Sequence, residues 1–452
     1  MGHVVSHYYW SLNMIKLSDH FTYKKIIQFC LPTISMMIFT SIYCVVDGFF
    51  VSNFAGQTEF DALNFIIPLI LILGSIGFMF GSGSSALIGK RLGEGKKEEA
   101  NSIFTFIIAT AILISIVLAI LGFIFIRPIA ITIGAEEYLL DDAVRYGRIL
   151  LIALPFYVLQ FCFQCLFATS EKPKLGLYVT LLAGCTNMIL DALFVGIFKW
   201  GLVGAGFATG LSQFIGAFIP LIYFALPNKS LLRFTKFKVD FKSLFVVCLN
   251  GSSELISNIS MSVVAMLYNF QLLKYENGLT AYGVLMYVSM IFHSIFFGLA
   301  GGTAPIISFN FGAKNKEELK NVLKKTVVIL TISAITMLVC GELLARPIGV
   351  IFFKEDPIVV ELIVHAFRIF SISFLFTGFT VYTSSFFTAL NNGVISMCVS
   401  SLRTIVFYVI CILVIPIFFQ LDGIWFSIVV AEFLGFIASF IFIISNKKKY
   451  QY

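Results

Sequence analysis

Asn187-Met-Ile-Leu-Asp191 sets an amide and a carboxylic acid four residues apart, one helical turn and hence on one face, within an apolar run from about 174 to 198. A run of that length and composition reads as a membrane-crossing helix. An acid at the centre of such a helix costs on the order of 2.5–3.5 kcal/mol on insertion scales, so it needs a reason to be there. In the first half of the chain one other acid, Asp47, lies comparably deep, with Tyr43 one turn before it, placed to hydrogen-bond it or simply to pack, and a candidate for a substrate site. Carboxylates inside membranes mark ion and substrate pathways, and two of them held together out of water are neutralised by a proton or a Na+. The chemistry expected of Asp47 and Asp191 is therefore reversible cation binding with no covalent step, and Asn187 is placed to join as a neutral ligand.

The elements that must position these residues are also apolar runs. Of 452 residues 59% are hydrophobic and 12% charged, which excludes a soluble protein. Twelve runs of about 20 residues cover 23–51, 61–86, 100–126, 140–168, 174–198 and 201–226, then 243–273, 279–305, 319–345, 357–388, 393–418 and 423–445. The segment before run two carries Glu59 and Asp61 without a basic residue, whereas the Gly89–Glu99 loop after it holds Lys90, Arg91, Lys96 and Lys97. Basic loops stay inside, so the second loop and both termini are expected to be cytoplasmic in a multi-pass protein of a bacterial plasma (inner) membrane. The net charge of +7 is spread over alternate loops and forms no basic domain, so no nucleic-acid partner is expected.

Met1–His20 lacks the apolar core of a secretory signal, leaving the first run to direct insertion. Met1-Gly2-His3-Val4-Val5-Ser6 matches a myristoylation pattern that a twelve-span protein does not need, and Met14 is an alternative start. The nine cysteines lie mostly inside apolar runs. Cys162-Phe-Gln-Cys165 has redox spacing without the soluble context, so packed thiols are expected.

An internal repeat organises the runs. Arg127-Pro-Ile129 recurs as Arg346-Pro-Ile348, and at the same offset Gly93 meets Gly312, Glu98-Glu99 meets Glu317-Glu318, Gly204 meets Gly423 and Gly216 meets Gly435. One ungapped register implies duplication. Each copy has an even number of spans, so both enter the membrane in the same sense, the arrangement of parallel-repeat transporters. The expected fold is all-α, with twelve transmembrane helices as two parallel six-helix lobes. The expected boundaries are a lead 1–22, a first lobe 23–228, a basic connector 229–242, a second lobe 243–446 and a tail 447–452.

In their order and spacing, several stretches resemble the multidrug and toxic compound extrusion (MATE) transporters over essentially everything after residue 14. They are Leu31-Pro32, Val46-Asp47, Gly89-Lys-Arg-Leu-Gly93, Glu171-Lys-Pro173, Asn187 to Asp191, Gly201 to Thr209 and Ala304-Pro305 to Gly312. The resemblance implies a V of two lobes around a central cavity, exchanging Na+ or H+ for organic cations. Drug-efflux members from prokaryotes build a first-lobe cation site from four residues, which Asp47, Asn187, Asp191 and Thr209 match one by one. Pro32 matches a proline at which helix one bends, so it is a candidate hinge. Other members use second-lobe acids on helices seven and ten. Glu254 matches the first of these, but the tenth run offers only His365 and Arg368 beyond Glu361, which leaves that site incomplete. Glu254 is then a substrate counter-ion or the partner of Arg368 or another polar group. Met36, Met37, Phe39, Phe50, Met79, Phe156 and Phe163 are candidates for a pliable cavity wall, since Met adapts its shape and aromatic faces attract cations. Arg148, Arg368, His293 and His365 are expected to serve packing or helix ends.

The expected activity is thus a cation-coupled antiporter, not an enzyme, acting as a monomer on small lipophilic cations among membrane lipids. It needs no cofactor beyond the coupling ion, H+ or Na+. A flippase for lipid-linked saccharides would place several basic residues in the cavity to grip pyrophosphate. An intramembrane aspartyl protease would carry Gly-x-Gly-Asp, whereas Asp47 follows Val45-Val46 and Asp191 follows Ile189-Leu190.

Overall fold

The structure, a computed structural model, describes residues 15–54, 56–353 and 356–452. The Met1–Ser6 pattern and Met14 lie outside them. The first six spans are α1 (Tyr23–Phe54), α2 (Gln57–Gly93), α3 (Lys97–Ile133), α4 (Glu137–Thr169), α5 (Pro173–Asp191) and α6 (Gly201–Ala225). After an irregular stretch come α7 (Phe241–Leu272), α8 (Gly278–Gly312), α9 (Lys316–Phe353), α10 (Pro357–Ser371), α11 (Phe374–Ala389), α12 (Gly393–Ser401) and α13 (Tyr408–Tyr450). Widened turns of π-helix, Ala192–Ile197 and Leu402–Phe407, follow α5 and α12.

Among the described residues ten helices are long and apolar enough to cross a membrane, and α10 with α11, bent by 49°, makes an eleventh. The last of the ten, Gly393–Tyr450, turns back on itself at Gln420, where φ is 51°, and beyond the turn Gly423 packs against the backbone of Pro416. Two passes in that piece bring the total to twelve.

Two expectations change. The tenth run is a broken helix. The basic segment after run two is mostly helical: α2 continues through Lys90 and Arg91 to Gly93, and α3 begins at Lys97. A helix of 37 residues is roughly 55 Å long, well beyond a hydrocarbon core of about 30 Å. Its last turn therefore stands in water, where Arg91 pairs with Glu94 at 2.8 Å and Glu99 at 2.9 Å.

Helices α1–α6 form one lobe and α7–α13 the other, each with its own apolar core. The cores exchange helix ends where the basic loops cluster: Ile26, Phe29 and Cys30 of α1 lie in the second lobe's core, and Val247 of α7 in the first's. Backbones meet closely at this end. A Cβ on Gly83 would strike Val247, one on Gly251 would strike Met79, and one on Gly312 would strike Lys90, so only glycine lets α2 lie against α7 and α8. Farther along, α1 follows α8, with the Ser41 and Ser294 hydroxyls 2.6 Å apart.

The segment before α1 ties both lobes at the basic end. Its Leu17 N–H donates to Glu171 in the α4–α5 turn at 2.7 Å. Its Phe21 N–H donates to Glu318 of α9 at 2.9 Å, and His20 lies 2.7 Å from the same carboxylate. Asn321 and Lys325 of α9 donate to the Phe21 carbonyl. Leu17 and Phe21 are fully buried beneath these bonds.

Candidate cation site

Helix packing explains how Asp47 comes to Asp191. Gly184 of α5 leaves room for the rings of Phe39 and Tyr43 on α1. From that contact each helix continues one to two turns, α1 to Asp47 and α5 to its last residue, Asp191. The two carboxyl groups interact electrostatically, so that charge on one opposes charge on the other. Asp191 is fully enclosed and Asn187 is 2% exposed. The Asn187 amide reaches the Thr209 hydroxyl of α6 at 3.5 Å, a long contact. The widened turn begins just after Asp191, a frequent feature of functional sites.

The electrostatics are one-sided. Asp47 Oδ1, Asn187 Oδ1 and both oxygens of Asp191 are buried without a hydrogen-bond partner. A cluster of unmet oxygens of this kind is what a bound proton or monovalent cation satisfies. All of the donors are oxygen, which suits a hard ion such as Na+.

The other candidates fall elsewhere. Tyr43 is within electrostatic reach of both Asp47 and the Gln160 side chain of α4. Pro32 lies inside α1 near the basic end, about 22 Å of helix from Asp47, beside the Gly298–Gly302 stretch of α8. Met36 is 2% exposed and enclosed between helices, which removes it from an open cavity wall in this state. Phe156 packs edge-on to Phe214 within the first lobe. Glu254 lies on α7 between the lobes, within electrostatic reach of Cys165 on one side and Arg403 on the other. Arg368 is not its partner. It faces Glu342 at 3.7 Å, and His365 pairs with Asp422 at 2.8 Å, both at exposed positions. All nine cysteines are free thiols, and Cys162 donates to the Gly77 carbonyl.

The sequence reading missed two groups. Tyr146 of α4, 2% exposed, lies within electrostatic reach of both Asp47 and Asp191. In the second lobe Arg403, in the widened turn after α12, holds Glu432 of α13. Its Nε lies 3.0 and 3.1 Å from the two carboxylate oxygens and its Nη2 2.9 Å from one. Tyr408 and Thr380 add hydroxyl donors at 2.8 and 3.2 Å, and Glu432 is 1% exposed. The signal was available, since an arginine in run eleven and a glutamate in run twelve carry the same insertion cost that singled out Asp191.

Comparison with known proteins follows the same outline. The family model MatE matches residues 32–193 and again 253–413, one match in each lobe. The multidrug export protein MepA of Staphylococcus haemolyticus is 25% identical over 433 residues, covering 93% of both chains. MepA of Staphylococcus aureus strain MRSA252 is 23% identical with the same coverage. Among solved structures, an outward-facing multidrug resistance MATE family transporter of the MOP superfamily superposes with a TM-score of 0.90 at 20% identity, over 96% of this chain and 97% of that one. A MOP superfamily transporter from Pyrococcus furiosus, described as having a binding pocket of reverse polarity that suggests a different function, has a TM-score of 0.87 at 20% identity. It covers 96% of this chain and 98% of its own.

Proposed function

This chain belongs to the MatE family, and from that membership we propose that it exports lipophilic organic cations across a bacterial plasma membrane in exchange for H+ or Na+. The observation that carries the coupling is the set of unmet oxygens of Asp47, Asn187 and Asp191, with Thr209 beside them. With the basic loops cytoplasmic, the lobes are held together on the cytoplasmic side and the carboxyl pair lies toward the outer half of α1 and α5. A proton or Na+ entering from outside neutralises the pair, and the neutral site favours the state that releases cargo outward. After the lobes rock, the ion leaves to the cytoplasm and the exposed charge favours a new cationic cargo. The ion drives this cycle only through its different affinity for the two states. Pro32, inside α1 near its basic end, is a bending point for that helix, and the protein works as a monomer.

Two features weigh against the flippase reading. The buried charge of the first lobe is acidic, and the buried guanidinium of the second, Arg403, is already spent on Glu432. The Pyrococcus furiosus structure, described as having a pocket of reverse polarity, shares this fold, so the fold alone does not select the cargo and the acidic first lobe is what supports a cationic one.

The test is efflux of a fluorescent lipophilic cation from everted vesicles under an imposed pH gradient or an imposed Na+ gradient. One gradient is expected to drive efflux, and Asp191→Asn to abolish it. If neither gradient drives the wild type, the antiporter reading fails and a lipid-linked substrate takes its place.

A further inference from the structure

Three glutamines of the first lobe, outside the carboxyl cluster, are enclosed and unsatisfied. Gln160 and Gln164 of α4 and Gln213 of α6 are 5%, 3% and 8% exposed. Gln160 Oε1, Gln213 Oε1 and both amide atoms of Gln164 have no hydrogen-bond partner. Gln160 and Gln164 are one turn apart on α4. Gln160 packs on Gly216, which is one turn along α6 from Gln213, so the amides lie on facing stripes of two adjacent helices. Tyr43, which precedes Asp47 by one turn, is within electrostatic reach of both Asp47 and Gln160 and so links the stripe to the carboxyl pair. From Asp47 to Tyr43, Gln160 and Gln164 the steps descend toward the basic end, where α4 finishes at Thr169.

The duplication supplies a control. Gln213 and Gly216 stand at the register of Glu432 and Gly435. As Gly216 is met by Gln160, Gly435 is met by Thr380 and Arg403. In the second lobe this niche is filled by an ion pair, with each carboxylate oxygen engaged. In the first lobe the charges are absent and the amide oxygens meet nothing. Buried amides are seldom left unmet in a native protein, and enclosed polar niches are where ordered water resides.

We propose that the niche of Gln160, Gln164 and Gln213 is a hydrated way-station for the coupling cation, hydronium or Na+, between the carboxyl pair and the basic end. The inference rests on the first-lobe coupling reading. Neutral amide oxygens accept hydrogen bonds from a hydrated ion, or ligate a bare one, without adding charge. They hold it more weakly than the carboxylates do, so it passes on. No bond is made or broken to the glutamines.

The experiment uses the full chain in proteoliposomes, with Gln160→Met and Gln213→Met singly and together, beside Asp191→Asn. Efflux is driven by a pH gradient in one arm and a Na+ gradient in the other, which separates the two ions. Equilibrium binding of tetraphenylphosphonium to the purified proteins is measured in parallel. Each glutamine variant is expected to slow gradient-driven efflux by about tenfold, the scale of one lost buried hydrogen-bonding partner. Tetraphenylphosphonium affinity is expected to change by less than about twofold. Folded variants that bind tetraphenylphosphonium and export at the wild-type rate overturn the way-station. If Asp191→Asn keeps gradient-driven efflux, it is the coupling reading beneath it that fails. Radiolytic hydroxyl footprinting of the wild type is a second readout that requires no variant to fold. Oxidation at Phe163, fully buried one turn along α4 from Gln160, is expected from resident water, and its absence counts against the proposal.

Discussion

At the scale of single residues, the two lobes treat buried charge in opposite ways. Glu432 has both oxygens bonded, by Arg403, Tyr408 and Thr380, whereas Asp191 has neither. Removing one member of a satisfied buried pair strands the other, so Arg403→Ala is expected to cost about 3–5 kcal/mol, because the Glu432 charge stays behind in an apolar setting. Replacing both, as Arg403→Met with Glu432→Leu, removes charge and desolvation cost together and is expected to come near neutral or stabilising. Thermal unfolding in detergent separates the cases; equal losses from the single and double replacements would mean that the pair does something other than cancel its own charge. The same cost logic makes Asp47 and Asp191 legible in the sequence. It applies equally to Arg403 and Glu432, which lie in runs eleven and twelve, away from the helix-seven and helix-ten positions to which the family resemblance points. Tyr146 and Gln160 were not legible on these grounds: a tyrosine or glutamine in a span is ordinary until the rotation of α4 about its axis is known.

At the scale of elements, apolar run length located the spans and loop charge predicts their sense, but neither reports how they end. The Ser371–Phe374 break has no proline or glycine to announce it, and α2 outruns its apolar stretch because water and the Arg91 ion pairs support its last turn. Glycine marks the element contacts that matter most here. A methyl group at Gly251 would meet the backbone of Met79, which has no rotamer with which to yield. Gly251→Ala is therefore expected to push α7 from α2 and loosen the seam at the basic end. A spin-label pair on the basic ends of α2 and α7 should report a longer or broader distance distribution. An unchanged distribution would show that the seam is held elsewhere, for which the bonds from the pre-α1 segment to Glu171 and Glu318 are the next contacts to examine.

At the scale of the whole molecule, the exchanged helix ends, the glycine seam and the tie from Leu17 and Phe21 all gather at the basic end. In the proposed cycle the lobes separate there once per turnover, so everything that closes this end has to be made and unmade. A side-chain approach suited to a covalent lock lies between α2 and α8, where a Cβ on Gly89 would stand 3.0 Å from that of Ser308. Disulfides bring Cβ atoms to about 3.5–4.5 Å, so a Gly89→Cys, Ser308→Cys pair needs only a few tenths of an ångström of give. Both single variants serve as controls against the nine native thiols. Oxidation of the double variant is expected to stop gradient-driven efflux and reduction to restore it, while neither single variant responds. A cross-linked protein that still exports would mean that cargo crosses without separating α2 from α8 and that the lobes do not rock about this seam. Efflux lost on oxidation and recovered on reduction would instead identify opening of the seam as an obligatory step.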